Sequence, residues 1–222
     1  MGEWEQMASA LASLGEDASV LSDQETALVM AEGHHLLGLR EVPGLHIQAR
    51  ESEEGVQARI EVAEGVRIQR PVHLCFGLLR RYGGQRILLD VQVGKGAEVT
   101  FMAHCLFMFA EMAEHRMEAS MVLEEGARVS YHEGHYHGPF GGIEVLPKAR
   151  IRVGKGARFE NTFSLTSGRV GKLVLDVQVE VEEKGVAELI SKVFGHGADT
   201  VMIREKAILS GKGARGLVKS RV

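Results

Sequence analysis

The chain has 222 residues, 45% of them hydrophobic and 25% charged, with a formal net charge of −4, a composition ordinary for one globular domain. A net negative charge offers no attraction to nucleic acid or an anionic membrane, no apolar run is long enough to span a bilayer, and there is no basic-then-apolar N-terminal signal. Two cysteines, Cys75 and Cys105, make no disulfide framework and point to a reducing, cytoplasmic setting, while 27 Gly against 4 Pro implies many tight turns.

Residues 1–40 read as a helical or irregular cap. Trp4, Met7, Ala8, Leu11 and Leu14 fall on one face of a short amphipathic helix. Residues 26–39 fit a strand and a helix equally well.

Over residues 41–222 one motif recurs: a charged residue, Gly, a small or branched apolar residue, then a strand. It stands at Glu64-Gly65-Val66, Lys95-Gly96-Ala97, Glu125-Gly126-Ala127, Lys155-Gly156-Ala157, Lys184-Gly185-Val186 and Lys212-Gly213-Ala214. Successive glycines are 31, 30, 30, 29 and 28 residues apart, and such self-similarity marks a solenoid, propeller or array. The flanking runs are β. Leu173, Leu175, Val177, Val179 and Val181 share one face, with Asp176, Gln178 and Glu180 on the other. Glu98-Val99-Thr100-Phe101 and Arg128-Val129-Ser130-Tyr131 start new strands after their turns.

A propeller blade takes about 40–50 residues. The shorter repeat therefore predicts an all-β protein, a right-handed parallel β-helix whose stacked coils pair in parallel and line up inward Val, Ile and Leu. Its last coil would present unpaired strand edges. Either two copies stack there as a homodimer, or the natural chain continues past Val222.

The candidate chemistry lies in Tyr131-His132-Glu133-Gly134-His135-Tyr136-His137. In a strand, Glu133, His135 and His137 share a face. The repeat offset sets Cys105 level with His135 on the adjacent coil, about 4.8 Å away. Thiolate, imidazole and carboxylate together suit iron or zinc, which makes Cys105, His135, His137 and Glu133 the candidate metal ligands. The plainer alternative is a buried, inert cysteine beside solvated or hydrogen-bonded histidines. Cys75, in the apolar run Val72-His73-Leu74-Cys75-Phe76, reads as core packing. His34, His35 and His115 have no partner placed by the repeat and receive no role. Gly94-Lys95-Gly96 and Gly154-Lys155-Gly156 lack the ending of a phosphate loop. No Gly-x-Ser-x-Gly elbow or aromatic stacking platform is present, so no catalytic residue is assigned.

Several stretches resemble the SufB/SufD family of iron–sulfur cluster assembly proteins. Arg70-Pro71-Val72-His73-Leu74, Gly84-Gln85-Arg86-Ile87-Leu88-Leu89 and Lys95-Gly96-Ala97-Glu98-Val99 are similar to the start of that family's β-helix. Ala198-Asp199-Thr200 and Arg215-Gly216-Leu217-Val218-Lys219 are similar to its late coils. The resemblance implies a cytoplasmic, non-catalytic scaffold or accessory subunit. It would work with a SufC-type ATPase and a SufB/SufD-like paralogue while iron and sulfide form a transient iron–sulfur cluster. It also implies a role for Cys105: His104-Cys105 falls where SufB has a Gly-Cys pair whose cysteine receives sulfur, and a thiolate is both a sulfur nucleophile and a soft iron ligand.

The sequence departs from the family pattern in four places. The C-terminal helical segment that docks on SufC would lie beyond Val222, the late-coil cysteine of SufB is missing, the N-terminal helical domain is short, and the histidine run replaces a Gln-Asn-Trp stretch. Two other classes stay open: a β-helix interaction module without a cluster, and a carbohydrate-active β-helix enzyme with an acidic groove.

Overall fold

The computed structural model describes residues 2–222. One helix, α1 (Glu3–Ser13), and a 3-10 turn (Ala18–Leu21) precede the strands β1 (Leu28–Glu32), β2 (His35–Arg40), β3 (Leu45–Ser52) and β4 (Gly55–Val62). Next come β5 (Val72–Gly77), β6 (Tyr82–Val93), β7 (Glu98–Phe107), β8 (Met112–Leu123), β9 (Arg128–His137) and β10 (Ile143–Val153). The chain ends with β11 (Arg158–Ser167), β12 (Gly171–Val181), β13 (Val186–Val193), β14 (Thr200–Leu209) and β15 (Arg215–Arg221).

These strands form a parallel β-solenoid. From β4 onward, even-numbered strands stack in one sheet, ordered β14-β12-β10-β8-β6-β4-β3, and odd-numbered strands in the other, ordered β15-β13-β11-β9-β7-β5-β1-β2. Each coil contributes one strand to each sheet. Among the strands of the described residues, antiparallel pairing is confined to the β1–β2 and β3–β4 hairpins at the N-terminal end. The period of two seen in sequence becomes the inside–outside alternation: Leu173, Leu175, Val177, Val179 and Val181 are all buried between the sheets.

The ambiguous residues 26–39 supply β1 and β2, and β1 pairs in parallel with β5. All five residues of β1 are buried, because the solenoid core lies on one side and α1 on the other. The helix presents Met7 and Leu11 to a second apolar cluster with Leu28, Met30, Cys75 and Leu106. Cys75 is thus buried on the outer side of its sheet.

The corners stack in one column. Gly65, Gly96, Gly126, Gly156 and Gly213 all have left-handed φ, between 63° and 75°. Each corner donates its N–H to the carbonyl just before the next: Gly96 to Glu125, Gly126 to Lys155, Gly156 to Glu183 (2.8–2.9 Å). At the fifth corner the residue in this position is Lys184, with φ 57°, donating to Lys212 at 3.0 Å. Gly185, which the sequence motif aligned there, stands one residue late.

A side chain in left-handed φ costs about 1–2 kcal/mol. Glycine returns about 0.5–1 kcal/mol of that through the freedom of the unfolded chain. Replacing Lys184→Gly should therefore raise stability by roughly 0.5–1 kcal/mol, read as a higher urea midpoint. Gly156→Ala, where a Cβ would meet nothing within 4 Å, should lower it by about 1 kcal/mol. A lower midpoint for Lys184→Gly would mean that its exposed ion pair with Glu183, 3.6 Å long, outweighs the backbone strain.

Candidate metal and thiol site

One strand breaks the apolar lining of the solenoid. The inward positions of β9 after Val129 are Tyr131, Glu133, His135 and His137, all buried. The neighbouring rung on β7 presents Phe101, Ala103, Cys105 and Phe107. Register makes Cys105 and His135 direct partners, and likewise Ala103 and Glu133.

The facing sheet completes the arrangement. On β8 the inward alternation Ala113, His115, Met117 carries a buried imidazole into the same space. Cys105, His115 and His135 each offer one ligand atom, and these atoms lie within 4.8 Å of one another. Ligand atoms around a tetrahedral ion stand about 3.3–3.8 Å apart, so side-chain shifts of about 1 Å would close the group on a cation. His115 went unassigned in the sequence. The signal that could have found it is the alternation of β8, which places a polar side chain in a column of apolar ones.

Hydrogen bonding leaves the group open to a ligand. Glu133 Oε1 lies 2.7 Å from His135 Nε2, so an ionised Glu133 accepts from Nε2–H and leaves Nδ1 with its lone pair. This is the carboxylate–histidine arrangement that orients metal-bound imidazoles. Among the described residues, His135 Nδ1 and both ring nitrogens of His115 and His137 are buried without a hydrogen-bond partner. Such unsatisfied groups are rare in native interiors. Their lone pairs are positioned to serve a bound cation.

The four residues named from sequence hold different places. Cys105 and His135 belong to the close group. Glu133 stands behind His135. His137 lies one inward position along, its ring 5.8 Å from that of His135 and 5.4 Å from Phe107. Phe107 also packs 4.8 Å from His115, and Phe163 4.8 Å from His135, so aromatic rings exclude water. Burial holds His115, His135 and His137 each down to about 3. It pushes the Cys105 thiol well up and Glu133 up to about 7. At neutral pH the metal-free group would be a thiol among neutral imidazoles, and cation binding must release the thiol proton.

The other histidines are engaged elsewhere. His34 bonds the Glu53 carbonyl at 2.9 Å and accepts from the Arg86 amide. His35 lies 3.5 Å from Glu3. His73 and His104 stack on the outer side of their sheet, with ring centroids 5.4 Å apart. An open groove of about 800 Å³ crosses the outer face of the seven-stranded sheet. Arg50, Arg59, Lys148 and Arg150 outnumber Asp90 and Glu118 in its lining, so this groove is not acidic. Among the described residues no helix is long and apolar enough to cross a membrane.

The geometry defines a parallel β-solenoid protein with a buried thiol–imidazole group. No known family profile matches the chain, but two curated proteins do. It is 36% identical over 220 residues, 99% of its length, to an iron–sulfur cluster assembly SufBD family protein of Pyrococcus horikoshii. A second SufBD family protein, from Methanocaldococcus jannaschii, is 27% identical over 80% of the chain. The chain belongs to the SufBD family. The matched part spans 67% of the first relative and 56% of the second, so these proteins are longer than this chain.

A buried polar group without a partner costs about 1–3 kcal/mol. Substituting His115→Leu should make the metal-free protein more stable by an amount of that order, measured by urea unfolding, while weakening its uptake of cobalt(II). A destabilised variant would mean that the ring nitrogens are satisfied in solution.

Proposed function

We propose that the chain acts in iron–sulfur cluster assembly as a SufB/SufD-like scaffold or accessory subunit, holding iron at Cys105 with His115 and His135. The single observation that carries this reading is that group: three side chains from three strands, converging with free ring nitrogens in a water-poor interior. Soft thiolate and borderline imidazole ligands match ferrous iron. The cluster is cargo in this reading, built and passed on, and the chain is a scaffold and not a catalyst. Both curated relatives carry iron–sulfur cluster assembly in their names, which supports the same reading. Its working partners are a SufC-type ATPase and a SufB/SufD-like paralogue, in the reducing cytoplasm, where a free thiol persists.

Anaerobic reconstitution with ferrous iron and sulfide tests this. The protein should gain visible thiolate-to-iron charge-transfer absorption. Cys105→Ala should abolish it, and Cys75→Ala should leave it intact, because Cys75 lies outside the solenoid core among the residues under α1. Glu133→Gln should weaken iron binding by about 10–100-fold, the usual effect of losing a carboxylate behind a ligating histidine. Equal spectra for the parent and Cys105→Ala would end the proposal.

A second part of the reading concerns assembly. Every residue of β15 is exposed, and Leu209, Leu217 and Val218 are each 43–50% exposed on the last coil. Unpaired strand edges next to exposed apolar side chains are a template for pairing with another chain. We take the occupant to be a second copy, forming a homodimer through the terminal coils. Sedimentation equilibrium should show a dimer that Val218→Asp dissociates. A monomer that binds a SufB/SufD-like paralogue instead would replace the homodimer with a heterodimer.

A further inference from the structure

Cys105, His115 and His135 are all buried, so anything they hold must pass through a wall. On the eight-stranded side α1 and its apolar cluster cover Leu106 and Cys75. On the seven-stranded side the wall is thin. Ala119 of β8 and Ala149 of β10 are register partners facing inward, and each has only a methyl group to fill its position. Beside them the ladder is interrupted. The pairing of β10 with β12 runs to Val145 and resumes at Lys148, skipping Leu146 and Pro147. Pro147 has no N–H to offer β12.

Behind this gap lies a cavity of about 40 Å³, with Tyr131, Glu133 and Asn161 in its lining. The open groove on the outside and this cavity share Leu89, Ala119 and Lys148 as walls. The Tyr131 hydroxyl is buried next to the Glu133 carboxylate, toward which it can donate. Glu133 connects the cavity to the cluster through its hydrogen bond to His135.

We infer that this gap is the port through which a divalent cation reaches the thiol–imidazole group. The ion passes from the groove, past Ala119 and Ala149, into the cavity. The inference rests on the reading of Cys105, His115 and His135 as a metal-holding group. A cavity of this size takes a few waters at most, so the ion crosses partly dehydrated. The carboxylate, phenol and amide oxygens replace the lost waters. Such hard oxygen donors suit a divalent cation, and a carboxylate opposes an anion such as hydrosulfide. The ion then exchanges oxygen donors for sulfur and nitrogen one rung further along.

Two rates test the port. Cobalt(II) loading, followed by its thiolate charge-transfer band, reads the route together with the ligands. Methylmercury reaction with Cys105 in a Cys75→Ala background reads the route alone. Filling the gap by Ala149→Leu, or separately by Ala119→Leu, narrows the passage, so both rates should fall about tenfold or more with end points unchanged. If the leucine variants do not fold, Ala149→Val should slow both rates and Ala149→Gly should quicken them. Unchanged rates in folded variants would overturn the port. A parent that takes up no cobalt, yet whose mercury reaction slows on filling, would overturn the metal site and leave the port standing.

Discussion

The parallel hydrogen-bond ladder is the constraint on which everything else depends. It fixes which residues meet, because each strand pairs with the equivalent strand one coil away at a nearly constant offset. The corner column sets that offset. Each corner N–H reaches the carbonyl before the next corner, so a change in coil length must be absorbed between corners. With the offset fixed, the partner of Cys105 on β9 can only be His135, and that of Ala103 only Glu133. A one-residue slip would turn the whole polar row of β9 outward.

That polar row is costly. Burial disfavours charge on every member, and several ring nitrogens go without partners. The surrounding coils offset this with densely packed apolar columns, including Phe101, Phe107, Phe159 and Phe163, each at most 2% exposed. Exposed ion pairs such as Arg150–Asp176 and Arg158–Glu188 run across the outer faces, and pairs of this kind contribute little each. The protein tolerates an interior of imidazoles and a carboxylate because its neighbours are good enough without it. Unsatisfied polar groups held in place this way are characteristic of functional sites.

Much of this was legible in the sequence because a solenoid writes its period directly into the chain. Glycines at the corners and alternation between them yield the coil and the sheet faces, and the offset aligns Cys105 with His135. What the offset cannot supply is proximity across the interior. His115 sits in the opposite sheet, and its ladder partners are Gln85 and Val145; no count of residues along the repeat brings it near Cys105. Residues 28–32 were ambiguous for a related reason. Covered on both faces, β1 has no polar alternation to distinguish it from a buried helix. The fifth corner was misplaced because Gly185 stands next to the residue that takes the left-handed turn, and only the backbone distinguishes them.

The position of the polar row along the axis has a consequence of its own. Of the six coils from β4–β5 to β14–β15, the one made by β8 and β9 is third, so the least oily cross-section lies near the midpoint of the stack. In a repeat protein each layer adheres only to those directly above and below it. This layer is therefore the seam of the molecule: two well-greased half-columns joined by a hydrophilic gasket, along which thermal breathing should begin.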